Sequence, residues 1–283
     1  MAQVQLAHGP VEYVEYGPAD GPPVVFVHGV LVNGGLWHET AHLLGEQGVR
    51  AITPDWPIGA HRLPFGKDAD LSPRGIARLV AELCERLGLA DVTLVGNDSG
   101  GAVCQYVAAL HPQRVGRLVL TNCEGPGAFP PKVFKAFIIA GRWRATLLPV
   151  LRLCGTRWGA RLLMATLARH PHTELARSWM HASAAPGIVD DVVAFLRGVD
   201  ERDYQPVAAA LRSFDHPVLL VWGSGDRWAF TPRVGRRIAK LFSEARIVEV
   251  PHARAFVPLD APAALFREVA AFIATSSSRR PTA

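Results

Sequence analysis

This chain of 283 residues predicts an α/β fold: a mostly parallel sheet with one helical insertion. Three observations predict it. In the first half, β-rich runs alternate with helical patterns. A strand–turn–helix phrase, DVTLVGNDSGGA, occupies positions 91–102. Beyond it, positions 126–212 contain no strand-like run, and the sheet pattern then resumes.

Each element has its own reason. Positions 11–16, 24–27 and 49–53 are short runs rich in valine, isoleucine and aromatics, which favour a pleated, half-buried backbone. A helix follows. Ser72 is its expected N-cap, with Pro73 in the first turn. Ile76, Leu79, Val80, Leu83, Cys84 and Leu87 then recur at helical spacing and make one apolar face. Gly88 ends it. Positions 92–95 and 115–121 are two more strands. Strands alternating with helices imply parallel pairing, with helices covering both faces of the sheet. The stretch 126–212 reads as several helices broken at Pro149, Pro171, Pro186 and Gly187. Strands at 218–222 and 246–250 resume the sheet. Leu265, Phe266, Val269, Phe272 and Ile273 give a closing amphipathic helix. The helical block therefore interrupts one sheet, as a lid would. The expected organisation is a core of 1–125 and 213–275, a cap of 126–212, and a flexible polar tail at 276–283.

Composition narrows the function classes. Hydrophobic residues make up 49% of the chain, enough for a sizeable core. No apolar run approaches the roughly 18 residues of a membrane span, and the start, MAQVQLAHGP, lacks the basic-then-apolar pattern of a secretion signal. Cys84, Cys104, Cys123 and Cys154 show neither close pairing nor metal spacing. They read as buried small hydrophobes of a cytoplasmic protein. The formal charge is +5, carried almost wholly by arginine. No nucleic-acid-binding module accompanies it, so no nucleic acid or membrane is expected as partner.

The 91–102 phrase has the layout of a nucleophile elbow. In its G-x-Nu-x-G frame, Gly96-Asn97-Asp98-Ser99-Gly100, the central residue is an aspartate. A carboxylate attacking carbon gives an alkyl ester, whereas a serine gives an acyl ester. Backbone amides and the dipole at the start of the next helix are expected to keep Asp98 ionised. The competing reading makes Asp98 a simple cap of a helix over 100–110.

With the elbow, the strand pattern and the insertion together, the sequence resembles the α/β-hydrolase fold superfamily over nearly its whole length. Three landmarks carry the resemblance: VVFVHG at 24–29, the elbow at 96–101, and VLLVWGSGD at 218–226. It implies an eight-stranded, mostly parallel sheet under a helical lid. An aspartate at the elbow resembles the haloalkane dehalogenase and epoxide hydrolase branch. Longer phrases also resemble bacterial α/β-hydrolases of uncertain activity.

The resemblance assigns roles. Asp98 becomes the nucleophile. Ser99, one position late for that role, points along the helix start and supplies one oxyanion donor through its amide. The amide of Val30 supplies the other, and His28 holds its loop by hydrogen bonds. Asp226 matches the triad acid, with Glu124 a second candidate. The base histidine of the superfamily sits in a phrase that here reads RAFVPLDAP, which places Ala255 in its position. Alanine cannot activate water. Three explanations stand: an engineered removal of the base, a natural protein that has abandoned hydrolysis, or His252 reaching across. Dehalogenases of the branch hold halide with a Trp after the nucleophile and often an Asn after the His-Gly pair. Here those positions are Ser99 and Val30. Epoxide hydrolases use two lid tyrosines, whereas the lid has only Tyr204. Trp143 and Trp179 are lid candidates for the pocket, and His170-Pro171-His172 lacks a third metal ligand. Positions 132–212 hold 12 Lys and Arg against 6 Asp and Glu, an excess that attracts anions or merely faces solvent.

The function expected is a cofactor-free, metal-free enzyme, monomeric or homodimeric, acting on a small, largely apolar organic molecule through Asp98. The alternatives are a non-hydrolytic isomerase, cyclase or lyase using Asp98 as acid–base, and a ligand-binding pseudo-hydrolase.

Overall fold

The computed structural model describes residues 1–277. Its strands are β1 (Ala2–Leu6), β2 (Gly9–Tyr16), β3 (Pro23–Val27), β4 (Arg50–Pro54), β5 (Val92–Asp98), β6 (Val115–Cys123), β7 (Val218–Gly223) and β8 (Ala245–Val250). They form one eight-stranded sheet in the order β1-β2-β4-β3-β5-β6-β7-β8. The β1–β2 and β2–β4 pairs are antiparallel, and every other pair is parallel. The chain is therefore an α/β-hydrolase fold, as expected.

The β1 strand is absent from the sequence reading. It is an edge strand, AQVQL, with most of its residues exposed. A five-residue, one-neighbour strand whose alternating apolar residues are Ala2, Val4 and Leu6 leaves too short a pattern to see. By contrast, β6 and β7 are buried throughout, β5 in all but its last residue and β3 in all but its first. Continuous apolar runs are what a sheet covered on both faces requires. Trp37, Trp56 and Trp222 are among the largest fully buried side chains of this core. Burying such a side chain stabilises by about 1.5–3 kcal/mol.

Helices α1 (His38–Glu46), α2 (Pro73–Arg86) and α3 (Ser99–Leu110) connect strands of the first half. The α2 start is the expected one: Ser72 Oγ accepts from the Gly75 amide at 3.1 Å, and Pro73 opens the helix. Between β6 and β7 lie α4 (Lys135–Ala140), α5 (Arg144–Cys154), α6 (Arg157–Leu167), α7 (Thr173–Ser183), α8 (Ile188–Gly198) and α9 (Glu201–Ala210). Pro171 and the Pro186-Gly187 pair separate helices, but Pro149 does not. It sits inside α5, where its missing amide removes one helix hydrogen bond while Leu147 and Leu151 stay buried beside it. The chain closes with α10 (Pro232–Ala239), α11 (Val257–Asp260) and α12 (Pro262–Ser277). Helix α12 takes in Thr275, whose Oγ1 donates to the Ala271 carbonyl at 2.9 Å. The start of the expected tail is therefore helical, and the rest lies outside the described residues.

The insertion is tied to the core at several points. Tyr204 of α9 donates to Gln105 Oε1 of α3 at 2.5 Å. Tyr106 of α3 donates to Asp203 at 3.0 Å. Asp191 of α8 accepts from the Phe65 amide at 2.8 Å and pairs with His61 at 3.0 Å, all three groups being buried. Among the described residues, no helix is long and apolar enough to cross a membrane.

Candidate active site

Asp98 ends β5 with φ +56° and ψ −133°. For a residue with a Cβ that conformation costs on the order of 1–3 kcal/mol, and such strain gathers at functional sites. Asp98 stands at the N-cap position of α3, but its side chain makes no cap hydrogen bond there, and only the adjacent Ser99 amide favours its charged form. The turn depends on close approach. A Cβ at Gly100 would lie 2.4 Å from the His28 carbonyl oxygen, and one at Gly29 would lie 2.3 Å from Asp98 Oδ2. The carboxyl thus rests against the backbone of the turn that follows β3.

That turn is rigid. His28 is fully buried. Its Nε2 accepts from the Trp56 amide at 2.8 Å, so Nδ1 carries the proton and donates to the Gly29 carbonyl at 2.8 Å. Burial pushes the His28 pKa down to about 3, and the ring is a neutral strut.

Two sequence expectations change here. Ser99 does not point along the helix start: its Oγ accepts from the Val30 amide at 2.7 Å. A short hydroxyl folds back where a longer side chain would extend. The Val30 amide is therefore not a free oxyanion donor. The two positions that the resemblance gives to halide-holding side chains are bonded to each other.

Three carboxyl groups come together at the strand ends. Burial raises the Asp98 pKa to about 7; the Ser99 amide opposes this and the Asp226 charge adds to it. Asp98 is therefore not held fully ionised at neutral pH, because burial outweighs the helix end. Glu124, just after β6, is 5% exposed, and its Oε2 has no hydrogen-bond partner. Burial, then the charge of Asp98, holds its carboxyl well above the usual carboxylate range. Asp226 differs. Its Oδ1 accepts from the amides of Trp228 at 2.9 Å and Ala229 at 3.1 Å, and its Oδ2 from that of Phe230 at 3.1 Å. It shapes the loop after β7.

Ala255 is buried beside the elbow: its carbonyl accepts from Asn97 Nδ2 at 2.8 Å. Asn97 Nδ2 also donates to Thr121 Oγ1 at 2.9 Å. Asn122 similarly ties β6 to β7, accepting from the Gly223 amide at 2.5 Å and donating to its carbonyl at 3.0 Å. Gln105 Nε2 donates to the Glu124 carbonyl at 2.9 Å. Sequence reading passed over these three amides. Their only signal is a polar residue inside an otherwise apolar strand or helix, which must find partners when buried.

The other candidates lie elsewhere. Trp143 is 55% exposed at the start of α5. Trp179 is buried, but its indole N–H donates to Asn33 Oδ1 at 2.9 Å, and its ring meets Phe256 edge-on. Tyr204 is committed to Gln105. His252 is exposed and lines a separate cleft. A second cleft, of about 540 Å³, opens near Asn33, Asp55, His172 and Leu259. Asp98 lines neither. Cys84, Cys104 and Cys123 are buried free thiols, whereas Cys154 is only half-buried. Among the described residues no group of three His, Cys, Asp or Glu is arranged to hold a metal ion.

Residues 22–262 match the alpha/beta hydrolase fold family. A haloalkane dehalogenase of Mycolicibacterium paratuberculosis is 34% identical over 140 residues, a match that spans 48% of this chain and 46% of that protein. A non-heme chloroperoxidase of Kitasatospora aureofaciens is 26% identical over 261 residues, 88% of this chain and 90% of that one. The crystal structure of a haloalkane dehalogenase from Bradyrhizobium elkani superposes with a TM-score of 0.80, covering 99% of both chains at 22% identity. That last likeness is one of fold.

Proposed function

The chain belongs to the alpha/beta hydrolase fold family, and from that premise we propose that it is an enzyme in which Asp98 attacks an alkyl carbon of a small, largely apolar organic molecule. An Asp98 oxygen forms the new C–O bond, and a halide, or the oxygen of an opening epoxide, leaves with its electron pair. The observation that carries this reading is the strained elbow residue: a carboxyl at φ +56° with no cap bond. The dehalogenase name of the relative that is 34% identical over about half of this chain favours carbon as the electrophile. Hydrolysis of the resulting ester needs a general base, and Ala255 stands where the resemblance puts it. The reaction by this route stops at one turnover.

The test is incubation with 1,2-dibromoethane or styrene oxide, followed by intact mass measurement and peptide mapping. One adduct per chain on Asp98, absent in Asp98→Asn, is the expected result. Steady turnover without any adduct refutes the alkyl-ester route.

A second reading has its own support. Burial lifts the Asp98 pKa to about 7, where a general base works best at neutrality, and Glu124, which holds its proton more tightly than an ordinary carboxyl and whose Oε2 lacks a partner, lies close by. Together they suit a proton-transfer reaction such as an isomerisation or elimination, which needs no covalent bond to Asp98. Turnover number distinguishes the two: a proton-transfer reaction releases product repeatedly and leaves Asp98 unmodified, whereas the alkyl-ester route leaves one adduct and stops.

A further inference from the structure

Outside the loops that follow β7 and β8 lies a cleft of about 440 Å³, lined by Arg169, Gly225, Arg227, Trp228, His252 and Arg254. That volume suits a small organic ligand. None of its three arginines pairs with a carboxylate among the described residues.

Two acids lie close to the lining, and both turn their oxygens to backbone amides. Asp260 accepts from the Arg169 amide at 2.8 Å through Oδ1 and from the Arg254 amide at 2.8 Å through Oδ2. It thereby holds together an arginine of the insertion and one of the loop after β8. Asp226 fixes the loop that carries Arg227 and Trp228 through its three amide bonds. Arg254 is further oriented by the Ala168 carbonyl at 3.3 Å and by that of Ala165. Arg169 and Arg227 are exposed.

Two features mark the cleft as more than a solvated basic face. Trp228 is 68% exposed and lines the cleft together with the three arginines. His252 adopts φ +67°, a conformation that a residue with a Cβ takes only at a cost.

We propose that this cleft binds a phosphate monoester carried on a flat ring. Guanidinium forks take phosphate oxygens two at a time. A phosphate monoester carries close to two negative charges at neutral pH, which suits three uncompensated arginines better than a single carboxylate does. The exposed indole offers a face on which a ring stacks. Asp98 is not part of the lining, so binding here needs no contact with the elbow carboxyl.

Calorimetric titration of the full chain at low salt, with phenyl phosphate, inorganic phosphate and phenol as probes, tests the proposal. Phenyl phosphate should saturate one site and bind tighter than inorganic phosphate, with phenol giving no saturable heat. Arg169→Ala/Arg227→Ala should weaken phenyl phosphate at least tenfold, and both side chains are exposed, so the fold is expected to survive. Trp228→Ala should remove the preference for phenyl phosphate over inorganic phosphate. Asp98→Asn should bind like the parent. Phenyl phosphate that fails to saturate, that binds the double variant unchanged, or that binds no better than phenol overturns the proposal. An unchanged preference in Trp228→Ala overturns the stacking.

Discussion

The elbow and the cleft outside it share the loop after β7, yet their charged groups meet different fates. At the elbow, Asp98 is half-buried and Glu124 buried, no basic side chain among the described residues is bonded to either, and desolvation makes both hold protons more tightly. In the cleft, Asp226 and Asp260 satisfy amides and leave three arginines without acidic partners. A carboxyl that accepts several amide bonds builds a loop, whereas one left without such donors is available for chemistry. The contrast separates side chains that all carry a carboxyl, and local donors make the difference.

The comparison can be broken at its largest effect first. Ala255→His should convert a single stoichiometric alkylation into repeated turnover. The gain should be on the order of 10²-fold or more, the usual worth of a positioned general base. Product counted per active chain decides it, and a ratio that stays at one shows that the elbow lacks more than its base. Asp226→Ala comes next. It strands three amides and should cost about 3 kcal/mol in urea unfolding, while a loss under about 0.5 kcal/mol, the size of an ordinary surface change, would place Asp226 outside the frame.

The third test uses pH. Asp98 is raised to about 7 in the fold from an unfolded value near 3.9. Between those values the native state holds a proton that the unfolded chain has released, so rising pH removes stability. Asp98→Asn has no such proton to lose. It should be more stable than the parent at pH 8, with the advantage shrinking as pH falls and gone by about pH 4. Paired unfolding curves across that range check it, and a flat difference refutes the buried-acid account. Alkylation of the parent should rise with pH through about 7 as the carboxylate forms. The smallest effect is Tyr204→Phe, which loses the bond to Gln105 and should cost about 1 kcal/mol in thermal or urea unfolding.

Much of this was legible without coordinates. Helix α2 follows from its cap, its Pro and its apolar stripe, all local signals. The elbow follows from glycines that only a close approach demands, and the buried strands follow from continuous apolar runs. Edge strand β1 and the helix through Pro149 were not legible, because a short pattern and a single lost bond are outweighed by packing that no local window contains.

The chain by itself settled the fold class, the order of the strands along it and the aspartate at the turn, since these rest on periodicity and on residue type at fixed spacing. Only the tertiary structure decided that Ser99 takes the Val30 amide, that Asp226 serves its own loop, and that Glu124 Oε2 is buried without a hydrogen-bond partner. Those outcomes depend on which donors from distant segments arrive within hydrogen-bonding reach, and sequence separation carries no measure of that.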